Sequence, residues 1–206
     1  MRERPILFNG DMVRAILAGQ KTQARRAMKV QPRRNGPFWE VFGAGWGSGV
    51  CRVPAVPGHS LAAHCPFGQP GDRLWLRETT VNVEDHGYIG PVYAESDEGR
   101  AILNYGLAPV PDDCIEVEPD ELRLRPSIHM PRSMCRLVLE ITAVRVERLQ
   151  AISVQDCLAE GITTRFKVAD AADDLRIQFR DLWTSTGGDW DCNPWVWVLE
   201  FKKIQI

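Results

Sequence analysis

Residues 135–149, "CRLVLEITAVRVERL", carry the strongest strand signal in the chain. Leu137, Leu139 and Ile141 alternate with Val138 and Glu140, the two-residue period of a pleated strand. Other segments read as strands to accompany it: "PILF" at 5–8, "KTQARRAMKV" at 21–30, "RLWLRETTV" at 73–81 and "NPWVWVLEFKKI" at 193–204. Three segments read as helices. "NGDMVRAILAGQ" has Asn9 or Asp11 to cap its start, Met12, Ile16 and Leu17 on one face, and Gly19 at its end. "SVQDCLAEG" begins at Ser153 with Asp156 three residues on, close to a capping box. "ADAADDLRIQFRDLWTSTG" puts Leu175, Phe179, Leu182 and Trp183 on one stripe. The order is strand, helix, strand, strand, long strand, helix, helix, strand. Short strands and few helices favour an α+β domain built as a small β-barrel with helices at its rim.

Two stretches interrupt that pattern. Residues 31–70 are dense in Gly and Pro, with a hairpin expected around "FWEVFGAGWGSGVCRV". Phe38, Trp39, Phe42 and Trp46 imply that this insertion packs on something, either as a private core or as a lid or base-stacking wall. Residues 82–130 form a second insertion. "PVYAES" reads as an added strand and the remainder as acidic and irregular. The whole chain, 1–206, reads as one domain carrying these two insertions.

The net charge of −2 does not suggest a general nucleic-acid coat protein. The average hides an asymmetry. Between Met12 and Phe38 there is no acidic residue, while Arg14, Lys21, Arg25, Arg26, Lys29, Arg33 and Arg34 are basic. A local positive patch on a near-neutral protein fits a discrete anionic ligand or a short nucleic-acid contact. The six cysteines show no CxxC pair and read mostly as free thiols. Cys51, His59, His64 and Cys65 match no compact zinc signature, so no metal site and no cofactor are expected. No apolar run is long enough to span a bilayer and the N-terminus does not read as a signal peptide, so the cytoplasm is the expected location.

The segment "ILAGQKTQARR" at 16–26 sets Lys21 at the lip of the first helix, beside Thr22 and ahead of Arg25 and Arg26. It admits two readings: a solvated helix end, or a pocket for something electron-rich. "IHMPRSMCR" at 128–136 holds His129, Arg132 and Arg136. These are either loop residues or a histidine and two guanidinium groups able to fork onto phosphate. Arg77 and Glu78 read as an ion pair or as lining of the barrel mouth. Trp75 offers a stacking face or a core residue, and Trp195 and Trp197 share a face of the last strand.

"ILAGQKTQARR", "GDRLWLRE", "LEITAVRVERLQAISVQDCLAEGI" and "WVWVLEFKKI" together resemble an ASCH domain, a member of the PUA-like superfamily of small β-barrels. "CPFGQPGDRLWLRE", "RPSIHMPRSMCRL" and "NPWVWVLEFK" are similar to ASCH-containing proteins encoded by bacteriophages and prophages. The resemblance covers roughly half of the chain in separated blocks and omits the insertions. It implies binding of RNA or nucleotides in the cytoplasm of a bacterial host. Some small bacterial members are amidohydrolases that remove the acetyl group of N4-acetylcytidine, and one subgroup is a ribonuclease. In the amidohydrolases the chemistry rests on a lysine after the first helix, a threonine three residues later and a glutamate in the helix after the long strand. By resemblance these fall on Lys21, Ala24 and Glu160, so the hydroxyl is missing. Lys21 would act as base, with its pKa lowered by a dry pocket and neighbouring arginines, and Glu160 would pass a proton to the leaving amine. Thr22 shares a strand face with position 24 but lies about 6–7 Å along it, too far to take over the role simply.

The resulting expectation is a barrel mouth lined by Lys21, Thr22, Arg26, Arg77, Glu78, His129 and Glu160, with Arg25, Trp75 and Arg132 as further ligand contacts. The leading function is binding of RNA or of a modified nucleotide or nucleoside. The alternatives are a hydrolase, either N4-acetylcytidine amidohydrolase-like or a ribonuclease, using Lys21 and Glu160, and a phage protein acting through a host or virion protein.

Overall fold

The computed structural model describes residues 1–42, 50–55, 61–108, 116–164 and 172–205. In chain order its elements are β1 (Glu3–Leu7), α1 (Gly10–Leu17), β2 (Gln23–Ala27), β3 (Arg33–Asn35), β4 (Phe38–Phe42), β5 (Val50–Pro54), β6 (Arg73–Arg77), β7 (Thr80–Asn82), β8 (Val92–Tyr93), α2 (Asp97–Tyr105), β9 (Arg123–Arg125), β10 (Val138–Arg148), α3 (Val154–Ala159), α4 (Ala172–Ser185) and β11 (Trp195–Ile204). The fold is α+β. Its main sheet runs β1-β6-β10-β11-β2, with β1 and β6 parallel and the remaining neighbours antiparallel.

The long alternating strand is the spine of this sheet. β10 pairs with β11 from Val138↔Ile204 to Arg148↔Trp195, with a register shift between Ile141 and Ala143. β11 is apolar on both faces because each face meets a core. Trp197, Leu199 and Phe201 join Ile6, Leu74, Leu76, Leu139 and Ile141 in the main core. Val196 and Val198 meet Leu149, Cys157, Leu175 and Phe179, which seats α3 and α4 on the other side. Burying one such aliphatic side chain contributes roughly 1.5–3 kcal/mol, so the two faces of β11 fix the helices against the sheet.

The sheet departs from the expected barrel in one respect. Among the described residues the ladder does not close, and β1 and β2 remain its two edges. Side chains span the gap instead. The Arg26 guanidinium on β2 donates to the Leu7 carbonyl on β1. Phe8 stands between the edges, with Lys21 Nζ 5.8 Å and the Arg26 guanidinium 5.0 Å from its ring centre and the Phe201 ring 6.1 Å away.

Both insertions contain more order than their composition suggests. In the first, β3, β4 and β5 form an antiparallel sheet. Val41 and Val53 belong to the main core, and Trp39 meets Trp195 edge-on at 5.2 Å, so this insertion packs on the body of the protein. Phe38 is exposed. Trp46 and the Phe42 side chain lie outside the described residues. In the second, β8-β7-β9 form a small sheet over a core of Val81, Val83, Val92, Leu107 and Val117. The expected "PVYAES" strand is β8, while the stretch expected to be irregular contains α2, capped by Ser96, whose hydroxyl accepts from Gly99 N.

Cys65, Cys135, Cys157 and Cys192 are free thiols; His59 and Cys114 lie outside the described residues. Among the described residues no group of three or more His, Cys, Asp or Glu is placed to hold a metal ion, and no helix is long and apolar enough to cross a membrane.

Candidate functional site

Two helix ends build the site. α1 stops where Gln20 N and Lys21 N both reach the Ala15 carbonyl, which turns the chain into β2. α3 starts at a complete capping box between Ser153 and Asp156 and ends at Glu160, its C-cap. Thr22 N then donates to the Ala159 carbonyl, and an isolated antiparallel bridge joins Lys21 to Glu160. Gly161 makes this junction possible. Its φ is +89°, and a β-carbon there would stand 3.0 Å from Ala15 Cβ and 3.1 Å from Lys21 Cβ.

Lys21 Nζ donates to Glu160 Oε2 at 2.6 Å and to the Glu160 carbonyl at 2.9 Å. Lys21 is 2% exposed and Glu160 4%. Burial is the strongest influence on the Lys21 ammonium and pushes its pKa down; Glu160 pushes it up, and Arg26 and Arg25 push it down further. The net direction is below the ordinary lysine value.

Arg25 is the second buried cation. Its side chain is fully enclosed and faces Glu147 at 3.3 Å, Asp156 at 3.1 Å and Glu160 at 3.3 Å, and it also donates to the Gln23 side chain. Arg145 extends the network to Glu147, Asp156 and Glu200. Burial alone would raise the Asp156 pKa. Hydrogen bonds from Ser153 and Gln23 and the charge of Arg25 outweigh it and hold the carboxyl below its ordinary range.

A cavity of about 290 Å³ opens between β2 and α4. Arg25, Arg26 and Glu160 supply its charges. Met12, Phe179, Leu182 and Trp183 supply apolar wall, and residues 186–188 complete it. Lys21 is not part of the lining and stands behind Glu160. Two of the lining residues each keep one N–H sealed from solvent with no partner among the described residues, Arg25 Nε and Trp183 Nε1. Gly188 seats the indole: a β-carbon there would lie 2.2 Å from Trp183 Nε1 and 2.6 Å from Cδ1 and Cε2. Arg26 has no carboxylate within ion-pairing distance among the described residues; burial lowers its pKa and the charge of Glu160 raises it.

The residues expected at one mouth fall into three places. Lys21, Arg25, Arg26 and Glu160 come together as described. Thr22 does not join them. It is exposed and lines a separate hollow of about 300 Å³ with Thr142, Gln155, Asp156 and Glu200. Ala24, where the ASCH resemblance would put a threonine, is 2% exposed in the main core opposite Leu199. Strand alternation explains the position of Ala24, which lies on the opposite face of β2 from Gln23 and Arg25.

The third place is around β6. None of Trp75, Arg77, Glu78, His129 and Arg132 lines the Glu160 cavity. The expected Arg77–Glu78 pair is not formed: Glu78 lies just past the end of β6 and its carboxylate is taken by Arg136. Arg77 donates to the Ile128 carbonyl and lies 5.5 Å from the Trp75 ring centre. Arg132 forks onto Glu3 at 2.8 and 3.0 Å and sits 6.0 Å from the same ring. Glu78, 1% exposed, takes a fork from Arg136 at 3.1 and 2.8 Å, and the Arg136 guanidinium stacks 4.0 Å from the Tyr93 ring centre. His129 is exposed at the end of a 3-10 turn.

Sequence reasoning missed Trp183, Gly188 and Asp156 as site residues. Trp183 belongs to the α4 stripe and reads as core; its dual position, against Phe179 and at the cavity, has no local signature. Comparison with family models, with curated proteins and with solved structures gave no match for this chain.

Proposed function

We propose that this chain is a PUA-like protein of the ASCH class, working in the cytoplasm of a bacterial host, that binds RNA or a modified nucleotide or nucleoside in the cavity between β2 and α4. The observation that carries this reading is a cavity of about 290 Å³ whose lining sets the Arg25 and Arg26 guanidinium groups and the Glu160 carboxylate beside an apolar wall of Met12, Phe179, Leu182 and Trp183. The Arg26 guanidinium can donate to a ligand carbonyl, ring nitrogen or phosphate oxygen. Glu160 accepts from a ligand amine or hydroxyl, and Trp183 supplies apolar contact to a planar ring. The test is equilibrium titration with ribonucleosides, N4-acetylcytidine and short single-stranded RNA on wild type, Glu160→Gln and Trp183→Leu. Binding that weakens in both variants supports the reading. Absence of binding to every probe overturns it and favours a host or virion protein as partner.

A second reading, amide hydrolysis, is favoured by the 2.6 Å Lys21–Glu160 pair and the depressed pKa of Lys21. With Ala24 in the core and Thr22 turned away, the nucleophile would be water. Its proton would pass to the Glu160–Lys21 pair and then to the leaving amine. Release of acetate from N4-acetylcytidine, abolished in Glu160→Gln and in Lys21→Ala, would establish this reading. Binding without product would exclude it.

A further inference from the structure

Three cations meet at the β2–α3 junction, and their charges are balanced unequally. Lys21 is paired with Glu160. Arg25 has three carboxylates within 3.3 Å, those of Glu147, Asp156 and Glu160. Arg26 has none, although it is the next residue on the same strand and lines the same cavity. Among the described residues its hydrogen bond joins one guanidinium nitrogen to the Leu7 carbonyl, a neutral acceptor, and the Phe8 ring packs on it at 5.0 Å. The guanidinium is therefore anchored and oriented, with no carboxylate in ion-pairing contact among the described residues; the Glu160 charge reaches it only at longer range. Arg25 Nε, in a side chain that is fully enclosed, also lacks an acceptor. Among the described residues the cavity lining thus carries two guanidinium groups and one carboxylate, Glu160, which Lys21 already engages.

We propose that Arg26 is the anchor of a phosphate subsite, so that the cavity takes its ligand as a phosphate ester. This rests on the nucleotide reading given above. Guanidinium presents parallel N–H groups that match phosphate oxygens, and an oriented guanidinium loses less freedom on binding than a free one. A neutral nucleoside leaves Arg26 unmatched. The phosphate comes from a free nucleotide or from the backbone of an RNA, and both present the same group.

The experiment is a set of equilibrium titrations of wild type, Arg26→Gln and Arg26→Lys. The probes are the four ribonucleosides, their 5′-monophosphates, dinucleoside monophosphates and inorganic phosphate, each at low and high salt, with circular dichroism to confirm that each variant is folded. A charge-assisted hydrogen bond of ordinary strength makes the preferred 5′-monophosphate or dinucleotide bind about tenfold more tightly than its nucleoside in wild type. Arg26→Gln removes that preference, and Arg26→Lys keeps part of it as a point charge. A monophosphate preference identifies a free nucleotide, and a dinucleotide preference identifies RNA. Nucleoside binding with no gain from phosphate overturns the subsite alone, as does a gain that survives Arg26→Gln. No binding of any nucleoside or nucleotide overturns the nucleotide reading itself. In that case, binding of inorganic phosphate lost in Arg26→Gln would still uphold the anion subsite.

Discussion

Lys21 Nζ holds Glu160 at two points, the carboxylate at 2.6 Å and the main-chain carbonyl at 2.9 Å, so one ammonium fixes both the side chain and the backbone of the same residue. The carboxylate faces the cavity and the lysine stands behind it. Truncating one partner leaves the other charged and buried. Lys21→Met is expected to cost about 3–5 kcal/mol. Joining it with Glu160→Leu should return part of that loss, because the orphaned carboxylate is removed. Urea denaturation of both single variants and the double variant measures the coupling.

Ala24→Thr would place a hydroxyl in an apolar environment. Position 24 is 2% exposed and packs in the main core. The added hydroxyl is expected to destabilise by about 1–3 kcal/mol and to create no deacetylation of N4-acetylcytidine. A variant that folds normally and releases acetate would place the hydroxyl in the reaction after all.

Asp156 gives the chain an acid-side dependence whose sign follows from its lowered pKa. As pH falls below the ordinary carboxylate range, the unfolded chain takes up this proton before the folded one does. Stability from Asp156 is therefore complete above that range and is lost as pH falls through the folded pKa. Asp156→Asn keeps one acceptor oxygen but removes the charge that faces Arg25 and Arg145, and is expected to cost about 1–2 kcal/mol near neutrality. Denaturation across pH should show the gap between wild type and variant narrowing below about pH 4.

Glu78 is as deeply buried as Lys21 but belongs to another network. Glu78→Ala leaves Arg136 without its fork and is expected to destabilise by about 2–4 kcal/mol. Ligand affinity should stay within about twofold, since Glu78 does not line the Glu160 cavity. A large loss of affinity in a variant that remains folded would move the site toward β6.

Gly188→Ala probes the indole wall with a single methyl group. The new β-carbon would fall 2.2 Å from Trp183 Nε1, so the ring must shift. Ligand affinity should drop about tenfold or more, through lost contact with a displaced ring. Unchanged affinity alongside an altered Trp183 environment would mean that the indole does not touch ligand.

What the sequence made legible was local. Asn9 caps α1 and Ser153 opens a capping box because each cap speaks to an amide three residues away. The period of β10 and the paired tryptophans of β11 likewise follow from side-chain alternation. The Lys21–Glu160 pair spans 139 residues and was reachable only through resemblance. Arg136 as the partner of Glu78, 58 residues away, carried no such cue, and the adjacent Arg77 was the tempting but geometrically wrong choice. α2 was hidden because "DEGRAILNY" is short and polar, and its one strong signal, Ser96, sits in a stretch rich in other turn formers.

The site is tested most directly through the indole of Trp183. The seven tryptophans give seven indole N–H resonances in a ¹H–¹⁵N spectrum, and Trp183→Phe assigns one of them. Titration with the preferred nucleoside monophosphate should shift the Trp183 resonance strongly while leaving that of Trp75, on β6, in place. Shifts confined to Trp75, or a Trp183 resonance that stays fixed while ligand binds, would contradict a site between β2 and α4.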